Sequence, residues 1–414
     1  MATLEKNCDE LVVKLNSLAL ALMIAAAGTT NALARTSLFA KVQNNVIVLG
    51  VVFIVVCAGI FVKKQISIGK YSVVTLALTT VAFGATMLFN KSQCDLTVIQ
   101  FIFYAVVPIY LISQKLDGEL VVRYTLYISL FTLPVIGSFF DIQYEQYQQA
   151  YMGNIYTILT PALFAIIHFK MYGKQANLLT KIAYLYNLYI LFMMLLYANR
   201  GAVVCIIFCI AVVLINQYDG EEKKKLSPTK LAIIIIACIA IIYFLINALV
   251  ILEAIAQWCQ ENMSSVPSFI SKMIKYLAEG DVSDGRDNIS DFAWQAIMKN
   301  PIIGNGLRTF EAYSIANAGK SWPYPHQYII QYLFEMGVIV GMVPVYFSLS
   351  LAAKVLCMRI KEKKEFVFCA ALVVSCIPKL FFSTEPWTTT TVWMLVTYSM
   401  MYSAKTTKYT ININ

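Results

Sequence analysis

Repeated apolar runs, each about as long as a bilayer is thick, constrain this chain more than any other feature. A helix needs about 20 mostly apolar residues to cross a membrane. About twelve runs are candidate spans: 11–33, 45–62, 71–89, 96–113, 119–139, 150–169, 178–198, 201–217, 230–251, 327–353, 365–383 and 388–403. The runs are continuous and lack the alternation of barrel strands, so they predict helices. The expected fold is an all-α polytopic membrane protein.

The composition and charge of the chain narrow its function. Of its 414 residues, 59% are hydrophobic and 13% are charged, whereas soluble chains average about 45–50% and about 25%. The formal net charge is +9, but the basic residues are dispersed in short loops. They form no basic face interleaved with aromatic residues, which a nucleic-acid-binding surface would show. We therefore expect membrane lipids as surroundings and no nucleic-acid partner.

Lysine and arginine are crowded into alternate loops, which predicts the orientation of the chain. Basic residues recur at 63–70, 170–174, 223–230 and 354–364. The intervening short loops carry only Arg35, Lys41, Lys91 and Arg200. Because basic loops mark the cytoplasmic side, both termini are predicted to be cytoplasmic and the long polar segment to face outward.

This orientation divides the chain into three parts. They are an N-terminal transmembrane bundle (1–251), an outer loop (252–326), and C-terminal spans with a short tail (327–414). In the loop, segment 264–278 places its apolar residues on one helical face. This amphipathic helix lies on the membrane surface or packs against its own bundle, and both alternatives stay open. A second helix is predicted over 287–299, and the remainder up to the tenth span is predicted to be loop.

Two arginines and a histidine are candidates for chemistry on an anionic substrate. Arg200 lies where one apolar run ends and the next begins. It is either a snorkelling anchor at the interface or a cation that binds a phosphate. Arg286 precedes a predicted helix whose free N–H groups attract anions, although two aspartates flank it and a solvated loop arginine is the alternative. His326, placed by two prolines at the outer mouth of a span, is the candidate general base, and a structural histidine is the alternative. The other histidine, His168, is expected to be a packed or snorkelling residue.

Further candidates lie near the outer membrane face. Glu335 in the tenth span and Lys379 near the end of the eleventh are functional candidates by default, but a mutual ion pair is the simpler interpretation. Tyr324, Trp322 and Trp387 could stack on sugar rings or belong to the aromatic belt at the interface. Gly337 and Gly341 form a G-x-x-x-G pattern, which most simply marks close helix packing.

Motifs for nucleotides and metals are missing. The chain has neither G-x-x-x-x-G-K-[ST] nor G-x-G-x-x-G between a strand and a helix, so nucleotide binding is unsupported. The sequence contains no carboxylate cluster and no Cys-x-x-Cys motif that would indicate a metal site. A disulfide between Cys94 and Cys259 is left open. We therefore expect a metal-independent reaction that uses no cofactor.

Three local motifs together resemble the bacterial O-antigen ligase and polymerase superfamily. They are Arg200-Gly201 opening a span, Gly285-Arg286 followed by Trp294 and by Pro301–Gly306, and His326-Gln327 followed after nine residues by Gly337. Their order, spacing and predicted membrane side match the family over the C-terminal half. Asn199 replaces the serine that often precedes the first arginine. The resemblance implies about a dozen spans, one large periplasmic loop and a GT-C-like glycosyltransferase architecture.

The resemblance also implies a reaction. Family members transfer a glycan from undecaprenyl diphosphate onto a sugar hydroxyl, with inversion and without metal. By this resemblance His326 would deprotonate the acceptor, while Arg200 and Arg286 would bind the donor diphosphate. Further residues would contact substrate or support the site: Arg308, Tyr324, Gln327, Glu335 and Lys379. The site would lie at the periplasmic face of the bacterial inner membrane.

Three functional hypotheses follow. The leading one is an O-antigen ligase, whose acceptor is lipid A–core oligosaccharide. An O-antigen polymerase, which uses the same donor and a second lipid-linked glycan as acceptor, is the alternative. A transporter or flippase of lipid-linked glycans is the third, and the scarcity of ionisable residues in the spans argues against it.

Overall fold

A computed structural model of the protein describes most of the chain. The described residues are 2–34, 44–63, 68–139, 148–197, 200–219, 222–223, 228, 243, 247–262, 266, 268–279, 286–382 and 385–411. The ninth predicted span, 230–251, lies almost entirely outside them.

The described chain is helical apart from one short antiparallel strand pair, β1 (Tyr218–Asp219) and β2 (Glu222–Lys223). The helices of the first half are α1 (Ala2–Ile24), α2 (Ala26–Ala34), α3 (Asn44–Lys63), α4 (Lys70–Phe89), α5 (Val98–Ile112), α6 (Gly118–Ser129), α7 (Ile136–Phe139), α8 (Gln148–Tyr172), α9 (Leu178–Tyr197) and α10 (Arg200–Ile215). Those of the second half are α11 (Ala248–Asn262), α12 (Ser268–Glu279), α13 (Arg286–Lys299), α14 (Phe310–Ala318), α15 (Tyr328–Leu356), α16 (Lys363–Phe382) and α17 (Thr390–Ile411).

Apart from 230–251, each predicted span coincides with described helix. Among the described residues, α4 and α15 are long and apolar enough to cross a membrane, and α1 with α2 would be a third span bent by 64°. The predicted span 119–139 is also interrupted, because Pro134 stands in a 3₁₀ turn between α6 and α7 and lacks the N–H that a helix needs. The total of about twelve spans and the sidedness of the termini stay predictions.

Helix α16 lies at the centre of the bundle. Every residue from Phe366 to Leu380 is buried, and α16 packs against α6, α8, α10, α15 and α17. A helix that is apolar on all sides is expected to occupy such a position. Any polar side chain on this helix must therefore find its partner inside the protein or in a bound molecule.

The outer loop is largely helical. The predicted amphipathic helix forms as α12 and packs against α11 and α9, which supports the alternative that it packs on its own bundle. The second predicted helix forms as α13. The prediction of loop between 300 and 326 is wrong in part, because α14 forms there. Phe310 at its start is buried against Phe292 and Phe334, and these long-range aromatic contacts leave no local pattern in the sequence.

Candidate active site

A break in helix α15 organises the end of the bundle that the sequence predicts to face outward. Gly337 has φ 72° and ψ 172° and interrupts the helix, and the segment Pro301–Gly306 fills the gap. The N–H of Val338 donates to the Pro301 carbonyl at 2.7 Å, while Asn305 N–H donates to the Phe334 carbonyl at 2.7 Å. These bonds satisfy backbone groups that the break removes from the helical ladder.

Glycine is required at this junction. A Cβ atom on Gly337 would overlap the carbonyl oxygen of Ile302, and one on Gly304 would lie 2.5 Å from the Gly337 nitrogen. A Cβ atom on Gly341 would overlap the carbonyl oxygen of Tyr332. The G-x-x-x-G pattern therefore does mark a close approach. The two glycines contact the inserted loop and the first half of the same helix. The sequence had predicted packing against a second helix.

Glu335 is held by three donors. The Gln331 side chain donates to its Oε1 at 3.0 Å, as does the backbone N–H of Arg308 at 3.0 Å. The Trp387 indole donates to its Oε2 at 2.5 Å. The predicted ion pair between Glu335 and Lys379 is therefore wrong. The break in α15 brings the inserted loop, with the Arg308 backbone N–H, to this carboxylate. Neutral donors therefore bind Glu335, where Lys379 was expected to do so.

Arg308 joins three separate parts of the chain. Its backbone is left-handed, with φ 49°. Its Nη2 lies 2.5 Å from Asp95 Oδ2, and its Nε lies 3.1 Å from Glu385 Oε1. Burial raises the pKa of Glu385 to about 8, against the opposing attraction of the Arg308 charge. Burial likewise raises the pKa of Asp95. A substrate contact by Arg308 stays a prediction, and the side chains of Asp95 and Glu385 already engage its guanidinium.

Hydrogen bonds fasten the same loop to the N-terminal bundle. The Leu307 N–H donates to the Thr86 hydroxyl at 2.8 Å. The Asn90 amide donates to the Asn305 carbonyl at 3.0 Å. The outer loop is thus part of the folded bundle at this point.

His326 lies two residues before helix α15, next to its N-cap residue, in a strained conformation. Its φ is 58°, a region that non-glycine residues seldom occupy and that clusters at functional sites. Its ring packs on Tyr324, with centroids 4.3 Å apart. Pro325 is buried and His326 is half-buried, while Gln327 is the N-cap residue of α15. The ring of Tyr324 therefore packs on His326 just before the start of a helix that runs into the bundle.

The two candidate arginines begin helices. Arg200 is the first residue of α10 and Arg286 is the first residue of α13; their side chains lie outside the described part of the structure. Both helices pack against α15. Free N–H groups at a helix start attract anions, so the backbone at both positions is suited to phosphate.

Lys379 lies in the last turn of α16, where the sequence predicted it. Its charge interacts with Cys205, which is on the second turn of α10. Two residues further along α16, the Phe381 ring packs edge-on against Tyr328 at 5.1 Å, and Tyr328 opens α15. The structure thereby brings together the start of α10, the end of α16 and the start of α15.

Sequence reasoning missed three residues of this region. They are Asp95, Gln331 and Glu385. Trp387 was a candidate for stacking on a sugar ring, and the structure has its indole donating to Glu335. Asp95 and Arg308 are 213 residues apart in the chain, so no local spacing indicates their pairing. Glu385 follows the end of the predicted span 365–383. That position was the one feature of the sequence that could have indicated it as a site residue.

Two sequence expectations concern side chains outside this cluster. His168 is packed inside the protein, 2% exposed. Its Nδ1 lies 2.6 Å from the Tyr184 hydroxyl and its Nε2 lies 2.8 Å from Glu119 Oε1. Cys94 and Cys259, whose pairing was left open, are both free thiols.

A comparison with known families agrees with the resemblance drawn from the motifs. Residues 185–345 match the family model described as O-antigen ligase. The matched segment contains Arg200, Arg286 and His326. The match confirms the resemblance to the O-antigen ligase and polymerase superfamily. No curated protein and no solved structure showed a significant match to the chain.

Proposed function

We propose that this protein is a glycosyltransferase of the O-antigen ligase type. It would transfer polysaccharide from undecaprenyl diphosphate to a sugar hydroxyl of lipid A–core oligosaccharide, at the periplasmic face of the inner membrane. The observation that carries the proposal is the O-antigen ligase match over residues 185–345, within which His326 adopts a strained backbone at the start of α15. About twelve spans and cytoplasmic termini complete the proposed arrangement.

The chemistry assigns each candidate a role. The acceptor oxygen attacks the anomeric carbon of the donor glycan, and His326 takes the hydroxyl proton as general base. The bond between that carbon and the diphosphate oxygen breaks, and its electron pair leaves with undecaprenyl diphosphate. Attack opposite the leaving group inverts the anomeric centre. Arg200 and Arg286 stabilise the leaving diphosphate, because its charge grows in the transition state.

The lipopolysaccharide of a deletion strain tests the ligase assignment. A ligase predicts bare core, with full-length polymer left on the lipid carrier. Core that bears a single repeat unit would show the polymerase alternative instead. Purified protein that moves the lipid-linked glycan across a bilayer without forming a bond would support a transporter.

Substitution of His326 tests the mechanism. His326→Ala should slow glycan transfer in membranes by about 10²–10⁴-fold, the contribution of a positioned general base, at normal protein level. Asn317→Ala, on the exposed surface of α14, is the matched control and should transfer normally. In the same assay Arg200→Ala and Arg286→Ala should weaken donor binding or slow transfer. Unchanged transfer in His326→Ala at normal protein level would remove the histidine from the reaction.

A further inference from the structure

Lys379 is a charged side chain in α16, the helix at the centre of the described bundle. It is 8% exposed, and among the described residues no carboxylate and no hydrogen-bond acceptor pairs with its ammonium group. The effective penalty for burying an unpaired ion is several kcal/mol. An ionisable residue kept inside a membrane bundle at that penalty is a candidate for binding or catalysis.

The neighbours of Lys379 do not neutralise it. The side chains with which its charge interacts are the thiols of Cys205 and Cys376, and a neutral thiol is a weak hydrogen-bonding partner. Glu335, the partner that the sequence analysis expected for Lys379, is engaged by Gln331 and Trp387. The structure therefore leaves the positive charge of Lys379 without an internal anion among the described residues.

The position of Lys379 relates it to the proposed site. Cys205 lies five residues into α10, so it is about 7–8 Å along the helix axis from Arg200. On the other side, the packing of Phe381 on Tyr328 places the end of α16 beside the start of α15, which His326 precedes. Lys379 thus stands between the helix that Arg200 begins and the helix that follows His326.

We propose that Lys379 is a third cation for the diphosphate of the lipid-linked donor. The inference rests on the proposed function, and it adds a binding residue from the central helix to the two arginines at helix starts. A diphosphate would supply the anion that none of the described residues offers to this ammonium. Lysine binds phosphate as a compact point charge and needs no bidentate geometry, which suits a residue confined in a packed helix.

Three variants of the full-length protein in lipid nanodiscs test the inference. Lys379→Met keeps the length and removes the charge, whereas Lys379→Arg keeps the charge. Lys320→Met changes an exposed lysine of the outer loop and serves as the matched control. The measurements are the KM and kcat for the lipid-linked donor, and the apparent Tm with and without added undecaprenyl diphosphate.

The expected pattern separates binding from a structural role. Lys379→Met should raise the donor KM roughly tenfold to a hundredfold, the factor that one charge-assisted hydrogen bond contributes. It should also lose most of the Tm increase that undecaprenyl diphosphate produces. Without ligand its Tm should equal or exceed that of the wild type, because an unpaired buried charge is gone. Lys379→Arg should recover part of the donor binding.

Two results would overturn the inference. One is a Lys379→Met protein with the donor KM and the ligand-induced Tm increase of the wild type. The other is wild-type protein that undecaprenyl diphosphate does not stabilise. Failure of the proposed function has a different signature. Wild-type protein would then form no glycosidic bond, and the ligand-induced Tm shifts would still report on Lys379.

Discussion

Replacement of Gly337 by alanine is the sharpest test of the broken helix. With φ 72° and ψ 172°, this residue occupies a region that is open almost only to glycine, and alanine there costs on the order of 1–3 kcal/mol. The new Cβ atom would also overlap the carbonyl oxygen of Ile302, and forced overpacking costs about 1–3 kcal/mol. We expect Gly337→Ala to lose roughly 2–6 kcal/mol of stability.

Two other glycines separate these contributions. Gly319 has φ 65°, but a Cβ atom added there would meet no other atom within 4 Å, so Gly319→Ala should show the backbone term alone, about 1–2 kcal/mol. Gly84 lies within α4 with no such contact and no positive φ. Gly84→Ala should be neutral or stabilising by up to about 1 kcal/mol.

The assay is thermal unfolding of the three purified variants in one detergent at one scan rate. Membrane proteins often unfold irreversibly, so the order of the apparent Tm values is the quantity to compare. The expected order is Gly84→Ala highest, Gly319→Ala next and Gly337→Ala lowest. The description of the inserted loop would be wrong if Gly337→Ala unfolded at the temperature of Gly84→Ala.

Two further predictions concern the carboxylates around Arg308. Arg308→Met removes the cation from the half-exposed Asp95 carboxylate and a hydrogen-bond donor from Glu385, and it should cost about 1–2 kcal/mol. The exposed-site variant Lys320→Met should keep the wild-type Tm, and equal Tm values in both would contradict the prediction. The pKa of Glu385 is raised from 4.5 to about 8, chiefly by burial, so the folded protein holds this proton more tightly than the unfolded chain. Its contribution to stability is therefore fully present below about pH 4.5 and is lost as the pH rises through about 8. Glu385→Gln should remove this component from the dependence of Tm on pH, and identical profiles for the two proteins would refute the assignment.

The sequence by itself determined the helical class and the positions of most helices. A membrane span must satisfy its backbone hydrogen bonds internally and present apolar side chains to lipid, so it leaves a run of fixed length that is readable locally. The motif residues are local as well. Arg200 and Arg286 begin helices, and His326 lies two residues before one.

Tertiary structure alone decided how the outer face is connected. The local pattern predicted a continuous tenth span, a loop in place of α14, and a bond between Glu335 and Lys379. Each of these depended on which distant segment packs alongside. The pairing of Arg308 with Asp95 across 213 residues shows why, since such contacts impose no periodicity on either segment.

Lys379 illustrates the same division. The sequence shows that residue 379 is a lysine and that it lies within a predicted span. An ionisable side chain inside a span requires a partner. Which partner it finds depends on the three-dimensional order of helices, because a charge in a low-dielectric interior is stabilised only by groups within a few ångströms. The folded chain surrounds Glu335 with neutral donors, and among the described residues no carboxylate pairs with the Lys379 ammonium, which is the basis for proposing a substrate anion there.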